Sequence, residues 1–597
     1  MKIAFGFPLR VLFLSFSLRC IDGAALRDRS DGATEVDVVV VGGGYSGLMS
    51  AYDLHQTGLK TVVLEAKSKI GGKSRSFKLQ SGPGIVELGA TWINNKTQPE
   101  VFKLTQQFGL VTLEQYTDGD SVVQGADGSV QRIPQEGDTD VDDSTPIAET
   151  IFLALLNKTI EETDIRSFDK FPEKKDVSFA EWIAQLGLWE DKHIQGLAST
   201  LTTIVGREPD EIGTHYFFDY VKSGNGLVSL LTEGREGAQS LLIEEGTTAI
   251  ATSLANALEP NSVYTDTPVT KIEEQDGISI VTTATNHTFK AKRVVLAITQ
   301  HLYADIEFSP PLPCEKNLVV ARSRPGNYAK VILTYTEPWW RHAGLVGKFT
   351  SFIGPIRYSW EISNPALSQY SLALFVSGDT AICWEALPEE NQRSAIIEHL
   401  AELVGAELAN RARDVLEYNY VEWTKEDYIR GAPTTTLGPG MLRKFGKSMR
   451  EPVGNLHFAG TELAYEWKGY LEGAITSGQR AAEEVINALN EQDGIAHLYH
   501  EAKSDILATD RANAVASIKA ELEMLDQDVE GYRKLVNGVD ITDIAGVYIV
   551  GGKSPHHALE IARKDKKDLA ESLNLVEEQV KEIRADVRYG FEEVQQP

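Results

Sequence analysis

Cysteine is scarce in this chain. Its three cysteines, Cys20, Cys314 and Cys383, are too few for a disulfide framework or a zinc cluster, so no metal site is assigned. Positive charge is also in deficit: 58 Lys and Arg face 86 Asp and Glu, a net charge of −28. Such a field repels nucleic acid and anionic membranes and suits a cationic small molecule better than an anionic one. Internal repeats and low-complexity tracts are missing, which excludes solenoids and linker-like chains. No transmembrane segment is expected. What is present is ordinary for a globular protein, with 42% hydrophobic residues, 24% charged residues, 50 Gly and 22 Pro. At 597 residues the chain exceeds a single compact core, so two or more domains are expected.

Residues 1–25 carry Lys2, a short apolar stretch from Val11 to Leu18, and the small residues Gly23, Ala24 and Ala25. This resembles a secretory signal peptide, although Arg10 and Arg19 interrupt the apolar stretch. The sequons at Asn95, Asn157 and Asn286 are compatible with a secreted or secretory-pathway glycoprotein. If cleavage follows Ala25, Cys314 and Cys383 remain, and their pairing is not legible from sequence.

The first strong signal is VDVVVV from Val36 to Val41, the β-branched run of a strand buried on both faces. It leads into Gly42-Gly-Gly44-Tyr-Ser46-Gly47 and then a helical pattern carrying Leu48, Ala51, Tyr52 and Leu54. Gly58 stops that helix, Thr61 to Leu64 forms a second strand, and Glu65 stands at its end. Gly42 allows a tight turn, Gly44 lets backbone approach a pyrophosphate, and Gly47 lets the helix lie close to the strand. The helix N-terminus offers N–H groups to phosphates, and Glu65 can accept hydrogen bonds from a ribose. Strand, glycines, helix, second strand and acid together specify a dinucleotide-binding β-α-β unit.

Downstream segments indicate which dinucleotide. They are Lys67-Ser-Lys-Ile-Gly-Gly-Lys73, Glu87-Leu-Gly89-Ala90-Thr91-Trp92, Leu456-His-Phe-Ala-Gly460-Thr461-Glu462 and Trp467-Lys-Gly-Tyr470-Leu471-Glu-Gly-Ala474. They resemble the flavin-containing monoamine oxidase family, which includes monoamine, polyamine and L-amino-acid oxidases. The resemblance covers about Val36 to Leu489 and is firmest in the motifs. It implies an α/β fold: a Rossmann-like FAD-binding domain with an interleaved α+β substrate domain, followed here by a helical C-terminal extension. The catalytic region would span 34–490, with FAD-binding parts at about 34–98, 262–300 and 450–490. Substrate parts would lie at about 99–261 and 301–449, and the extension would span 505–597.

By the same resemblance FAD binds in an extended form. The residues implied to hold it are Gly42, Gly44, Ser46, Gly47, Glu65, Lys67, Lys73, Gly89, Ala90, Thr91, Val269, Trp423, Gly460, Thr461, Glu462, Tyr470 and Leu471. Lys330, in Tyr328-Ala-Lys-Val-Ile-Leu-Thr-Tyr335, matches a lysine that holds a water at flavin N5 and assists reoxidation by oxygen. Its alternative is an edge-blunting lysine in an otherwise apolar strand. Ala432 stands where animal monoamine oxidases carry a flavin-bonding cysteine, which implies non-covalent FAD. Pro433 replaces one of the two aromatic rings that sandwich the amine, while Tyr470 matches the other. Tyr470 and Trp467 join Lys330 as catalytic candidates, with core aromatics as the alternative reading.

The implied reaction oxidises an amine C–N bond by hydride transfer to flavin N5. It yields an imine, then aldehyde and ammonia, and hydrogen peroxide from oxygen. Rivals are a polyamine or L-amino-acid oxidase, a biosynthetic flavin oxidase that closes rings, and an FAD-fold interaction scaffold without turnover. An L-amino-acid oxidase needs an arginine for the substrate carboxylate, and none is assignable from sequence.

Between the motifs, 82–261 reads as mostly helical, with helices expected at Glu100–Phe108, Thr145–Thr159, Ser178–Gln185 and Thr247–Leu258. The acidic stretch Gln135–Asp143 reads as a solvated loop. Residues 263–297 return to β structure, and 300–430 mix strands and helices around a substrate chamber. Beyond Glu491, Val515, Ile518, Leu522, Leu525, Val529 and Tyr532, then Leu559 to Val587, recur at three- and four-residue spacing. Two such helices could pair with each other, pack on the catalytic region, or join a second subunit in a homodimer.

Overall fold

The computed structural model describes residues 33–134 and 147–493. Residues 1–25, read as a signal peptide, the acidic stretch Gln135–Asp143 and the 505–597 extension lie outside the described residues.

The β-branched run forms the strand Thr34–Val41 at the centre of an eight-stranded sheet. It pairs in parallel with Thr61–Leu64 on one side and Thr288–Leu296 on the other. Val38, Val39 and Val40 are fully buried, as the continuous apolar pattern requires. Thr288–Leu296 has two roles: its first half pairs antiparallel with Ile278–Thr283, and Val294 to Leu296 pair in parallel with Leu456–Phe458. That last strand draws the distant C-terminal motif to the same edge as the glycine turn. The ends of Thr34–Val41, Thr288–Leu296 and Leu456–Phe458 therefore open onto one crevice, where an open α/β sheet binds its ligand.

A second sheet has seven strands, with Tyr328–Tyr335 between Tyr370–Ser377 and Glu417–Glu422. Its two faces follow the period of two. Ala329, Val331, Leu333 and Tyr335 face a core that includes Trp339, Trp340, Ile396 and Leu400. Tyr328 and Ile332 face an aromatic cluster with Tyr358, Trp360, Phe375 and Trp423. Lys330 shares the parity of that second face.

Helices appear at Pro99–Gln107, Ile147–Glu161, Phe179–Gln185 and Thr248–Asn256, close to the periodicity-based expectations. The mostly helical reading of 82–261 missed six short strands, among them Ile85–Glu87, Thr112–Glu114, Asp120–Gln124 and Leu241–Ile243. Strands of two to five residues show too few alternations to register as a period. Their partners are also remote: Asp120–Gln124 pairs in parallel with Leu345–Ser351, and Leu241–Ile243 with Trp92–Ile93 and Thr112–Glu114.

Candidate active site

One cavity of about 690 Å³ runs from the glycine turn into the aromatic face of the second sheet. At its nucleotide end Gly42 has φ +105°, and a Cβ there would lie 2.7 Å from the Ala297 carbonyl oxygen. Gly47 permits the close approach of helix and turn, since a Cβ on it would sit 2.0 Å from the Gly42 carbonyl oxygen. Gly44 serves differently: its Cβ would meet nothing nearer than Gly72 Cα at 3.8 Å, so its bareness keeps the cavity wall open to a ligand. The helix Tyr45–Gln56 starts at Gly44 with no side-chain cap, leaving first-turn N–H groups for an anion. Glu65 is buried; its Oε2 accepts from Gly43 N at 2.7 Å and its Oε1 from Lys67 N at 2.8 Å. Burial raises its pKa, while these backbone donors work in the opposite direction. Each oxygen retains a lone pair for a ribose hydroxyl.

Towards the second sheet, Lys73 joins two of the sequence motifs. Its Nζ donates to the Pro433 carbonyl at 2.8 Å and to Glu462 Oε1 at 3.2 Å. Lys67 and Arg75 both pair with Glu426, and Arg75 lies 4.8 Å over the Trp423 ring. Thr461 Oγ1 donates to the Tyr470 carbonyl at 3.0 Å and accepts from Gly469 N at 2.8 Å, which shapes the turn that presents Tyr470. Gly89 cannot carry a side chain, because a Cβ would lie 2.1 Å from the Lys73 carbonyl oxygen. Ala90, Thr91, Val269, Ser46, Gly460 and Leu471 line the same cavity.

Lys330 is 2% exposed and lies in a strand paired on both sides, so the edge-lysine alternative does not describe it. Its Nζ donates to the Gly89 carbonyl at 3.0 Å and to Thr91 Oγ1. Burial brings its pKa down to about 7, against the opposing pull of the buried Glu87 carboxylate. Tyr470 is half-buried, and burial pushes its hydroxyl up to about 12.

Trp467, grouped with the catalytic candidates on sequence, stands behind the wall rather than in it. It is 3% exposed, meets Tyr470 edge-on at 5.1 Å, and donates from Nε1 to the Thr97 carbonyl at 2.7 Å. Its φ of +53° is a strained setting for a bulky residue, held by a backbone bond from its N–H to the Ser223 carbonyl at 2.8 Å. Trp467 thus props Tyr470 in place. Gly47 likewise lies beneath the cavity wall.

The cavity that Pro433 lines is also walled by aromatic residues not singled out as site candidates from sequence. Tyr220 lies 6.5 Å from Tyr470. Tyr328 and Tyr358 share a hydroxyl hydrogen bond of 2.6 Å, and Tyr358 packs on Phe375 at 5.2 Å. Tyr328 carried a readable signal, since it stands two residues before Lys330 on one strand; Tyr220, Tyr358 and Phe375 arrive only through long-range pairing.

Tyr220 and Tyr470 are tied by a buried ion pair that the sequence reading also missed. Lys468 Nζ donates to Asp219 Oδ2, with side-chain exposures of 2% and 0%. Burial pulls Lys468 down to about 8 and raises Asp219. Breaking one partner strands the other charge. Asp219→Asn should therefore cost about 3–5 kcal/mol of folding stability, and the double variant Asp219→Asn/Lys468→Met less than the single one. Denaturant titration of the FAD-bound protein checks this; equal losses in the two variants would contradict it.

The sequence family described as flavin containing amine oxidoreductase matches residues 45–486. Amine oxidase [flavin-containing] B of Cavia porcellus is 30% identical over 473 residues, covering 76% of this chain and 87% of that protein. The same enzyme of Sus scrofa is 29% identical over 469 residues, with the same two coverages. Among solved structures, cyclohexylamine oxidase from Brevibacterium oxydans IH-35A superposes with a TM-score of 0.71 at 26% identity, covering 76% of this chain and 99% of that one. A putrescine oxidase bound to putrescine shares the fold, with a TM-score of 0.70 at 24% identity, covering 76% and 100%. Glycine cradle, paired sheets and matched span agree: this chain belongs to the flavin-containing amine oxidoreductase family and is an amine oxidase flavoenzyme.

Proposed function

We propose that the chain oxidises the C–N bond of an amine with a largely apolar body, using non-covalent FAD and oxygen. The observation that carries this reading is the single cavity that joins a nucleotide cradle to an aromatic chamber, with Lys330 buried between them. The residues present fit FAD. The bare wall at Gly44, the uncapped helix start and Glu65 suit its adenosine diphosphate end, while Lys330, Trp423, Ala432 and Tyr470 line the part suited to its ring. FAD held there would supply a two-electron acceptor for the hydride of the amine's α-carbon and a route for those electrons to oxygen, with hydrogen peroxide as the product.

The chain supplies orientation, desolvation and proton control. Tyr220, Tyr328, Tyr358 and Tyr470 present ring surfaces to an amine, and the apolar chamber favours its neutral form, which oxidation requires. Lys330, held by Gly89 and Thr91, can keep or release a proton near neutral pH. The imine is released for hydrolysis to aldehyde and ammonia. Among the described residues no arginine lines the cavity, so a substrate carboxylate would have to turn to one of its lysines. This favours amines over L-amino acids.

Peroxide release across a panel of primary amines, polyamines and amino acids tests the reading. Turnover of apolar monoamines is expected, and silence across the panel with FAD bound would favour a scaffold. Ala432 lines the cavity with a methyl group and has no sulfur to offer. Acid precipitation should therefore release the flavin into the supernatant, and flavin retained in the pellet would contradict non-covalent binding.

Secretion is part of the proposal. Asn95, Asn157 and Asn286 are all exposed, which leaves each sequon open to a glycan. Protein from a eukaryotic secretory host should lose mass on treatment with an N-glycan-removing amidase; an unchanged mass would remove this support.

A further inference from the structure

The chamber holds a second lysine, separated from Lys330 by aromatic rings. Lys348 lies on the strand Leu345–Ser351 and lines the cavity with its side chain 23% exposed. Its Nζ donates to Glu233 Oε2 at 2.8 Å and to the Leu231 carbonyl at 3.0 Å. Glu233 is 6% exposed, and the same oxygen accepts from Trp360 Nε1 at 3.4 Å. Phe375 and Trp360 stand between the two lysines: Lys330 Nζ is 5.1 Å from the Phe375 ring centre, and the two ring centres are 5.7 Å apart.

The carboxylates that line the cavity are all engaged at its cofactor side. Glu65 accepts from the N–H groups of Gly43 and Lys67, Asp305 pairs with Arg430 at 2.8 Å, and Glu462 pairs with Lys73 at 3.2 Å. Behind the opposite wall stands Glu233, bonded to the lining residues Lys348 and Trp360 and so already neutralised from within the chain.

We propose that Lys348 is a specificity-determining residue that excludes diamines and polyamines, because its ammonium fills the place beside Glu233 that a substrate's distal ammonium would take. The inference rests on the reading of the chain as an amine oxidase and narrows its substrates to amines with one positive charge and an apolar tail. A second ammonium reaching this wall would face a fixed like charge and find no free acid. Aromatic walls exclude water and counter-ions, so that repulsion is weakly screened.

Lys348→Met keeps most of the length of the side chain, removes the charge and leaves the Glu233 carboxylate without its ammonium partner. Hexamethylenediamine and hexylamine differ only in the distal ammonium, so their ratio of kcat/KM isolates the effect. In the wild type hexylamine should be favoured. In Lys348→Met the ratio should move towards the diamine by about tenfold or more, as expected for relief of a like-charge contact. Lys348→Gln, a second neutral variant, should move the same way, and Glu233→Gln/Lys348→Met should keep only the part of the gain that comes from relief of repulsion. A binding measurement without turnover runs in parallel: the diamine should raise the Tm of FAD-bound Lys348→Met more than that of the wild type. A wild type that takes the diamine as readily as hexylamine, or neutral variants that keep hexylamine turnover with no shift in the ratio, would overturn the assignment. If neither amine is oxidised by any variant, the reading of apolar monoamines as substrates fails, and the Tm comparison alone decides the role of Lys348: a diamine-specific rise in the neutral variants upholds it, and equal shifts overturn it.

Discussion

Lys330→Met should purify yellow, with FAD bound, and should react with oxygen on the order of 10²-fold more slowly after anaerobic reduction by an amine. That size is typical of removing one preorganised electrostatic partner from a buried site. Methionine preserves the bulk beside Gly89 and Thr91, so the cavity wall should hold its shape. The pH dependence follows from the direction of the shift. Burial lowers the lysine's pKa to about 7 and raises that of its buried neighbour Glu87 to about 7, so positive charge at this site is lost as pH rises through that range. A cation favours the negative charge that develops on oxygen as it is reduced. The wild-type oxygen reaction should therefore slow as pH rises through about 7, and the variant should show no such step. Stopped-flow mixing of the reduced protein with aerated buffer measures both features. Unchanged oxygen kinetics would remove the assigned role.

Two glycine variants should part company at the other end of the cavity. In Gly47→Ala the new methyl carbon would lie 2.0 Å from the Gly42 carbonyl oxygen, a backbone atom with little freedom to yield. Helix and turn must separate, at a cost of about 1–3 kcal/mol or more, and the cradle deforms with them. The protein should lose Tm and bind FAD at least about a hundredfold more weakly, if it retains FAD at all. In Gly44→Ala the methyl meets no protein atom closer than 3.8 Å, so the fold should keep its stability while FAD binding weakens where a phosphate would approach. Tm and FAD content of the two purified variants are the readouts. Equal FAD content in both and in the wild type would contradict the cradle.

The sequence disclosed those features whose physics is local. The β-branched strand, the glycine turn, the helix and Glu65 form one contiguous unit, each residue constrained by its immediate neighbours. Lys330 was conspicuous because a charge inside an apolar strand requires a reason. The substrate wall was far less legible. Tyr220, Tyr358, Trp360 and Phe375 come from one helix and two strands that meet only after long-range pairing. The Asp219–Lys468 and Glu233–Lys348 pairs likewise join residues more than a hundred positions apart in the chain. Trp467 shows the converse limit. Its motif placed it beside Tyr470, and the fold turned it inward as a prop.

The account stands on one cavity serving both a cofactor and an amine. Anaerobic mixing of the purified protein with hexylamine, followed by air, tests this most directly. Bound flavin should bleach on mixing and return on aeration, with hydrogen peroxide formed in proportion to the flavin. A correctly folded protein that stays colourless and refuses added FAD would contradict the account.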